Sequence, residues 1–231
     1  SLFIMNLINM IYPKLVKDIK KNFNVGIAQV SKYVSLTNLI VILLICGYAA
    51  VGFDLVKLLF VRGAFNIDNA RIVYKYGLIL GVVLPFDVMR DYSYRIYYAY
   101  GNTKKPMNNS IVTVAVNITF LIILANVVGP VSIVLAPALG TLFSTVLILF
   151  SSYQDGIRVD IKRIFCNYVL TNLFGGLMYL VINGVHYTSN NLILEILGNA
   201  TIGVIFVVLI IILILFIAKL MGKSFIKDIF K

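Results

Sequence analysis

The stretch IGVIFVVLIIILILFIA, residues 202–218, contains no charged side chain. It lies in an apolar run near residues 198–220, and a helix needs about 20 mostly apolar residues to cross the hydrocarbon core of a bilayer. The whole chain shares this bias, since 61% of its residues are hydrophobic, whereas ordinary soluble domains have roughly 45–50%. We therefore expect lipid, rather than water, to surround this protein.

Five further apolar runs have the length and composition of membrane-spanning helices. With the run near 198–220, they predict an all-α, polytopic membrane protein with six complete transmembrane helices, because helices satisfy their own backbone hydrogen bonds in lipid. Residues 1–13 predict the end of a seventh helix. The five runs lie near residues 34–60, 73–99, 108–129, 131–153 and 165–184.

The basic residues lie in short clusters between the apolar runs. A formal net charge of +11 would suit a nucleic-acid partner, but this clustering is typical of membrane topology. Alternate connections hold most of the 20 lysines and arginines, and by the positive-inside rule they face the cytoplasm. We therefore expect membrane lipids as partners, no nucleic acid, and a cytoplasmic C-terminus. The basic connections are residues 14–32, 104–105, 158–163 and 219–231.

The run at 73–99 carries polar residues at positions that share one face of a helix. Each charge near the membrane centre costs at least about 2.5–3.5 kcal/mol, so such residues pair or face water. The spacing allows an Asp87–Arg90 pair and an Asp91–Arg95 pair. Two interpretations remain open: a neutral network that joins helices, or the wall of a cavity where Arg90 and Arg95 bind phosphate. We call this set the polar stripe: Asp87, Arg90, Asp91, Tyr94, Arg95 and Tyr98.

Other polar residues within the apolar runs have simpler interpretations. Asp54 and Lys57 lie three residues apart near the end of their run, which favours a surface pair whose charged groups reach the lipid headgroups. Asn117 lies in the middle of its run, where hydrogen bonding between helices is expected. The sequence has no glycine-rich phosphate loop and no metal-binding cluster. We therefore expect neither an enzyme nor a bound cofactor.

Four segments, in order, resemble the MurJ/MviN-type lipid II flippases of the multidrug/oligosaccharidyl-lipid/polysaccharide exporter superfamily. MIYPKL resembles the end of the family's eighth helix, and LLFVRGAFNIDNA resembles the segment after its ninth. The third segment resembles an Arg, Tyr-Ala, polar turn and helix with a central Asn, and the fourth resembles the glycine-rich hairpin that follows. The segments are residues 10–15, 58–70, 92–120 and 127–149.

The resemblance implies the C-terminal part of a fourteen-helix transporter of the bacterial cytoplasmic membrane. Residues 1–153 would hold the end of helix eight and helices nine to twelve, and residues 154–231 the last two helices, which form a lipid-tail groove, and a basic tail. With its N-terminal lobe, the protein would move an undecaprenyl-diphosphate-linked peptidoglycan precursor from the inner to the outer leaflet by alternating access.

The energy source implied by the resemblance is the membrane potential or a monovalent cation. Asn117 matches an ion-contacting asparagine of the family, but Leu121 stands where the family has an acid, which argues against the family's sodium site. The alternatives are an exporter of another polyprenyl-linked glycan or of drugs, and a membrane scaffold that transports nothing.

Overall fold

The computed structural model describes residues 2–157 and 191–220, and between them residues 165–166, 169, 173, 176–181, 184–185 and 187–189. These residues are helical apart from short turns, which confirms the all-α class. The helices are α1 (Leu2–Lys21), α2 (Phe23–Phe60), α3 (Ile67–Ala99), α4 (Lys104–Val128), α5 (Ser132–Gln154) and α6 (Leu192–Leu220).

Glycines at two helix ends adopt backbone angles that favour this residue. Gly63 follows α2 with φ of 57°, and Gly129 follows α4 with φ of 62°; both lie in the left-handed region, where a Cβ is unfavourable. After the turn at Gly63, the backbone N–H of Asn69 donates to Oδ1 of Asn66 at 2.9 Å and so caps the start of α3. The sequence predicted both breaks correctly.

The first basic connection, in contrast, is helical. A break after residue 13 was expected, but α1 continues to Lys21 and α2 begins at Phe23. The hydropathy pattern predicts that a span ends at these lysines. Lysine is nevertheless a good helix former, so the helix can continue through them. Leu15 is 0% exposed and Ile19 is 6% exposed, so an amphipathic helix with an apolar face continues through the cluster.

The chain divides into two compact units. Unit one holds residues 1–41 and 79–171, and unit two holds residues 42–78 and 172–231; the division expected at residue 153 stays a prediction. The core of unit one includes the fully buried Ile8, Leu15, Tyr92, Ile96 and Ile148. In unit two, a small cluster forms around Cys46, Ala49, Ala50 and Met178.

Two stretches of the described chain are long and apolar enough to cross a membrane. They are Ile67–Ala99 and Lys104–Gln154, the second of which covers both α4 and α5, and Leu192–Phe206 is a shorter apolar helix. The span expected near 165–184 is described only in part, at 11 of its 20 positions. The number of six complete spans therefore stays a prediction.

Candidate functional site

The polar stripe lies along α3 within unit one. Its six members are half-buried or exposed, whereas the residues between them are buried and face the core. The helix therefore separates a polar side from an apolar side at the spacing of three and four residues that the sequence shows. The buried neighbours are Val88, Met89, Tyr92, Ser93, Ile96 and Tyr97.

Arg90 is paired with two carboxylates. Its Nη2 lies 2.6 Å from Oδ1 of Asp87 and 3.7 Å from Oδ1 of Asp91. The guanidinium also lies 5.9 Å from the centre of the Tyr94 ring, within the range of a cation–π contact. The expected Asp87–Arg90 pair is thus present, and the triad of two acids and one arginine has a formal charge of −1.

Arg95 has neutral partners instead. Its Nη2 donates to Oδ1 of Asn9 at 2.7 Å, and its guanidinium lies 5.2 Å from the centre of the Tyr12 ring. Both partners belong to α1. The expected Asp91–Arg95 pair was wrong, because Asp91 pairs with Arg90 while α1 supplies Arg95 with a hydrogen bond and an aromatic face. Among the described carboxylates, none forms an ion pair with Arg95.

Tyr94 is held by a residue that the sequence analysis did not select. The amide Nδ2 of Asn109, which is 2% exposed, donates to the Tyr94 hydroxyl at 2.8 Å. The same amide lies 2.9 Å from Oγ of Ser144 on α5, so one side chain joins α3, α4 and α5. The available signal was an asparagine near the start of an apolar helix. Tyr98, the last member of the stripe, is exposed.

Asn117 contacts the neighbouring helix of the α4–α5 hairpin. A Cβ at Gly140 of α5 would overlap Oδ1 of Asn117, so the side chain fills a notch that only glycine leaves open. This oxygen is buried and accepts no hydrogen bond from the described residues. No group of three or more His, Cys, Asp or Glu within the described parts of the chain could hold a metal ion, and a cation contact at Asn117 stays a prediction.

A second polar cluster lies just beyond the end of α5. The Tyr97 hydroxyl donates to Oδ2 of Asp155 at 2.7 Å, and Nζ of Lys105 lies 3.3 Å from the same oxygen. The hydrogen bond from Tyr97, and then the bond and charge of Lys105, hold the pKa of Asp155 below its ordinary value. The cluster fixes the C-terminal end of α3 against the loop after α5.

Asp54 and Lys57 are not a surface pair, and that interpretation was wrong. Asp54 is 1% exposed, and its Oδ2 accepts a hydrogen bond of 2.9 Å from Nδ2 of Asn199 on α6. One turn away, Nζ of Lys57 lies 3.6 Å from Oε2 of Glu195. Residues of α6 therefore contact both polar side chains of α2. We call these two contacts, Asp54–Asn199 and Lys57–Glu195, the polar clamp.

Next to the polar clamp, α2 and α6 leave an apolar cavity of about 290 Å³ within unit two. Small residues line this space, and a Cβ added at Gly47 would meet no atom within 4 Å. The lining residues are Cys46, Gly47, Ala50, Val51, Ala200, Gly203, Val204 and Val208.

Comparisons with known proteins give a consistent result. A family model described as lipid II flippase MurJ matches residues 1–199. The chain is 33% identical over 103 residues to a probable lipid II flippase MurJ of Rhizobium tropici, a match that covers 45% of this chain and 19% of that protein. It is also similar to the solved structure of a lipid II flippase MurJ in an inward closed conformation.

The likeness to the solved structure concerns the fold alone. The TM-score is 0.64 at 22% identity, and the match covers 87% of this chain and 42% of the solved one. The chain thus spans less than half the length of either protein.

Proposed function

Because the chain belongs to the MurJ family of lipid II flippases, we propose that it supplies one part of a transporter for an undecaprenyl-diphosphate-linked peptidoglycan precursor. The transporter moves this lipid from the inner to the outer leaflet of the bacterial cytoplasmic membrane. Proteins of this family are multi-pass inner-membrane proteins. With six complete spans, the chain forms the second lobe and the last two helices. The N-terminal lobe completes the substrate cavity, and transport proceeds by alternating access.

The observation that carries this proposal is the position of Arg95 in the polar stripe. A diphosphate needs a cation whose charge is not already cancelled, and the contacts of Arg95 with Asn9 and Tyr12 are to neutral groups. Arginine suits phosphate because its planar fork donates two parallel hydrogen bonds. Arg90 still has N–H groups to donate, but Asp87 and Asp91 cancel its charge.

The apolar cavity beside α6 supports a lipid substrate. Its lining is aliphatic apart from Cys46 and small residues, and a prenyl chain gains roughly 0.8 kcal/mol for each methylene that leaves water. The residues near 165–184, which would form the other wall of a lipid-tail groove, are described only in part. The groove is therefore proposed from the resemblance and from α6 alone.

A second function deserves a test because of the Arg90 triad. A network in which Asp87 and Asp91 neutralise an arginine also suits a membrane scaffold that transports nothing. A scaffold needs the ion pairs of Arg90 but has no use for the uncancelled charge of Arg95. The two functions therefore make opposite predictions for the two arginines.

The test compares arginine variants of the complete protein in proteoliposomes that contain lipid II. We expect Arg95→Ala to lower the affinity for lipid II roughly 10- to 100-fold, since a hydrogen bond to a charged group is worth about 1.5–3 kcal/mol. Arg90→Ala should lower it by less. Translocation is followed by the access of an external reagent to the headgroup.

Arg71→Ala is the matched control. Arg71 lies on the same helix and is exposed, with its charge paired to Asp68 at 3.1 Å, so its removal should leave affinity and translocation unchanged. Wild-type affinity and translocation in Arg95→Ala would contradict the proposed role of the polar stripe. Loss of folding in Arg90→Ala with full transport in Arg95→Ala would favour the scaffold.

A further inference from the structure

Arg95 is held by α1, a helix that carries none of the polar stripe. Asn9 and Tyr12 lie three residues apart on α1 and therefore share one face of it. The carboxamide oxygen of Asn9 accepts a hydrogen bond from Nη2 of the guanidinium, and the Cζ of Arg95 lies over the Tyr12 ring, 5.2 Å from its centre. Together these two contacts hold the Arg95 guanidinium in place against α1.

The chemical nature of these partners matters as much as their position. An aspartate at residue 9 would hold the guanidinium more strongly, because a charge-assisted pair is roughly twice as strong as a neutral hydrogen bond. It would also cancel the charge of Arg95. The amide and the aromatic ring orient the same group and leave its charge available to a ligand.

Arg95 also has a defined open edge. Its Nε is buried and donates to none of the described residues, and one Nη is bonded to Asn9. An oxyanion therefore reaches the guanidinium at its Nη edge. Arg90 has a buried Nε of the same kind, but it differs at its Nη edge, since its Nη2 lies between two carboxylates.

We propose that Asn9 and Tyr12 are positioning residues that preorganise Arg95 for a phosphate oxyanion of the lipid-linked substrate while leaving its charge uncancelled. The inference rests on the proposed function, because it needs an anionic ligand at the polar stripe. It adds two residues of α1, Asn9 and Tyr12, to that site. It also explains why the partners of Arg95 are polar and aromatic rather than acidic.

The test uses the complete protein, with undecaprenyl diphosphate in detergent micelles as the probe. Asn9→Asp is the decisive variant, because it strengthens the contact with Arg95 and cancels the charge. We expect it to keep or raise the melting temperature and to weaken probe binding roughly 10-fold, the factor that one charge-assisted hydrogen bond supplies. Asn9→Ala should weaken binding less.

Tyr12 provides a matched pair of variants. Tyr12→Phe keeps the aromatic face and should bind the probe like the wild type, whereas Tyr12→Leu loses that face and should weaken binding by about 3-fold or more. In an Arg95→Ala background, neither Asn9→Asp nor Tyr12→Leu should reduce binding further, because both act through that arginine.

The outcomes separate this inference from the proposed function. If Arg95→Ala binds the probe normally, the function proposed for the stripe fails. If Arg95→Ala weakens binding but Asn9→Asp does not, the positioning role alone is overturned. If Asn9→Asp fails to fold, Tyr12→Leu is compared with Tyr12→Phe instead, and equal probe binding by those two variants would also overturn the positioning role.

Discussion

The polar clamp predicts that Asp54 and Asn199 stabilise the protein as a coupled pair. Asp54 is 1% and Asn199 is 0% exposed, so water does not screen their 2.9 Å hydrogen bond. A hydrogen bond to a charged group contributes about 1.5–3 kcal/mol, and Asp54→Ala should lower the free energy of unfolding by that amount. Asp54→Asn keeps an acceptor oxygen and should cost less, about 1 kcal/mol.

Asn199→Ala should cost more than Asp54→Ala. Oδ1 of Asn199 also accepts from the backbone N–H of Tyr187 at 3.0 Å, and its Nδ2 lies 3.3 Å from the Tyr187 carbonyl oxygen. Each of these two neutral bonds adds about 1 kcal/mol, which gives a total of about 3.5–5 kcal/mol. In the double variant, the shared bond is lost only once, so the coupling energy should be about 1.5–3 kcal/mol.

The assay is a double-mutant cycle of unfolding in detergent micelles, with the wild type, both single variants and the double variant. Lys57→Met and Glu195→Gln form the control cycle, because that pair is 3.6 Å apart and the lysine side chain is 30% exposed. We expect its coupling energy to stay below about 1 kcal/mol. Additive effects at Asp54 and Asn199, with coupling below about 0.5 kcal/mol, would show that the two side chains do not stabilise the protein as a pair.

Two further predictions concern unit one. Gly140→Ala should lower the free energy of unfolding by about 1–3 kcal/mol, because its Cβ would overlap Asn117; chemical unfolding checks this, and no rescue of Gly140→Ala by Asn117→Ala would contradict the cause. Asp155 has a lowered pKa in the fold, through Tyr97 and then Lys105, so its stabilisation is present above about pH 4 and is lost as the pH falls through the folded pKa. Melting temperatures of the wild type and Asp155→Asn should therefore converge at low pH, and a constant difference would contradict this.

The helices and their ends could be predicted because local rules govern them. Runs of apolar residues fix where helices form in lipid, and glycines such as Gly63 and Gly129 mark where they stop. The same rules failed at residues 14–32, because hydropathy does not distinguish a loop from an amphipathic helix whose buried face is narrow. Leu15 and Ile19 are the residues that carry that face.

The partners of the polar residues could be predicted only within a single helix. The Asp87–Arg90 contact spans three residues and follows from helical spacing. The Asn9–Arg95 contact spans 86 residues and the Asp54–Asn199 contact spans 145, and no local pattern encodes either of them. Sequence spacing therefore identified which side chains share a face, but only packing between helices decides what that face meets.

The polar stripe as a whole has no net charge, since the Arg90 triad carries −1 and Arg95 carries +1. Its attraction for an anion depends on the separation of these charges along α3. Arg95 lies about 6 Å further along the helix than Asp91, at a rise of 1.5 Å per residue. A phosphate about 4 Å from Arg95 and about 8 Å from the triad would gain roughly 1 kcal/mol and lose roughly 0.5 kcal/mol in water. A net attraction for the phosphate therefore remains only at the Arg95 end of the polar stripe. The charge pattern of the sequence predicts that this end faces the cytoplasm, where a headgroup from the inner leaflet would enter.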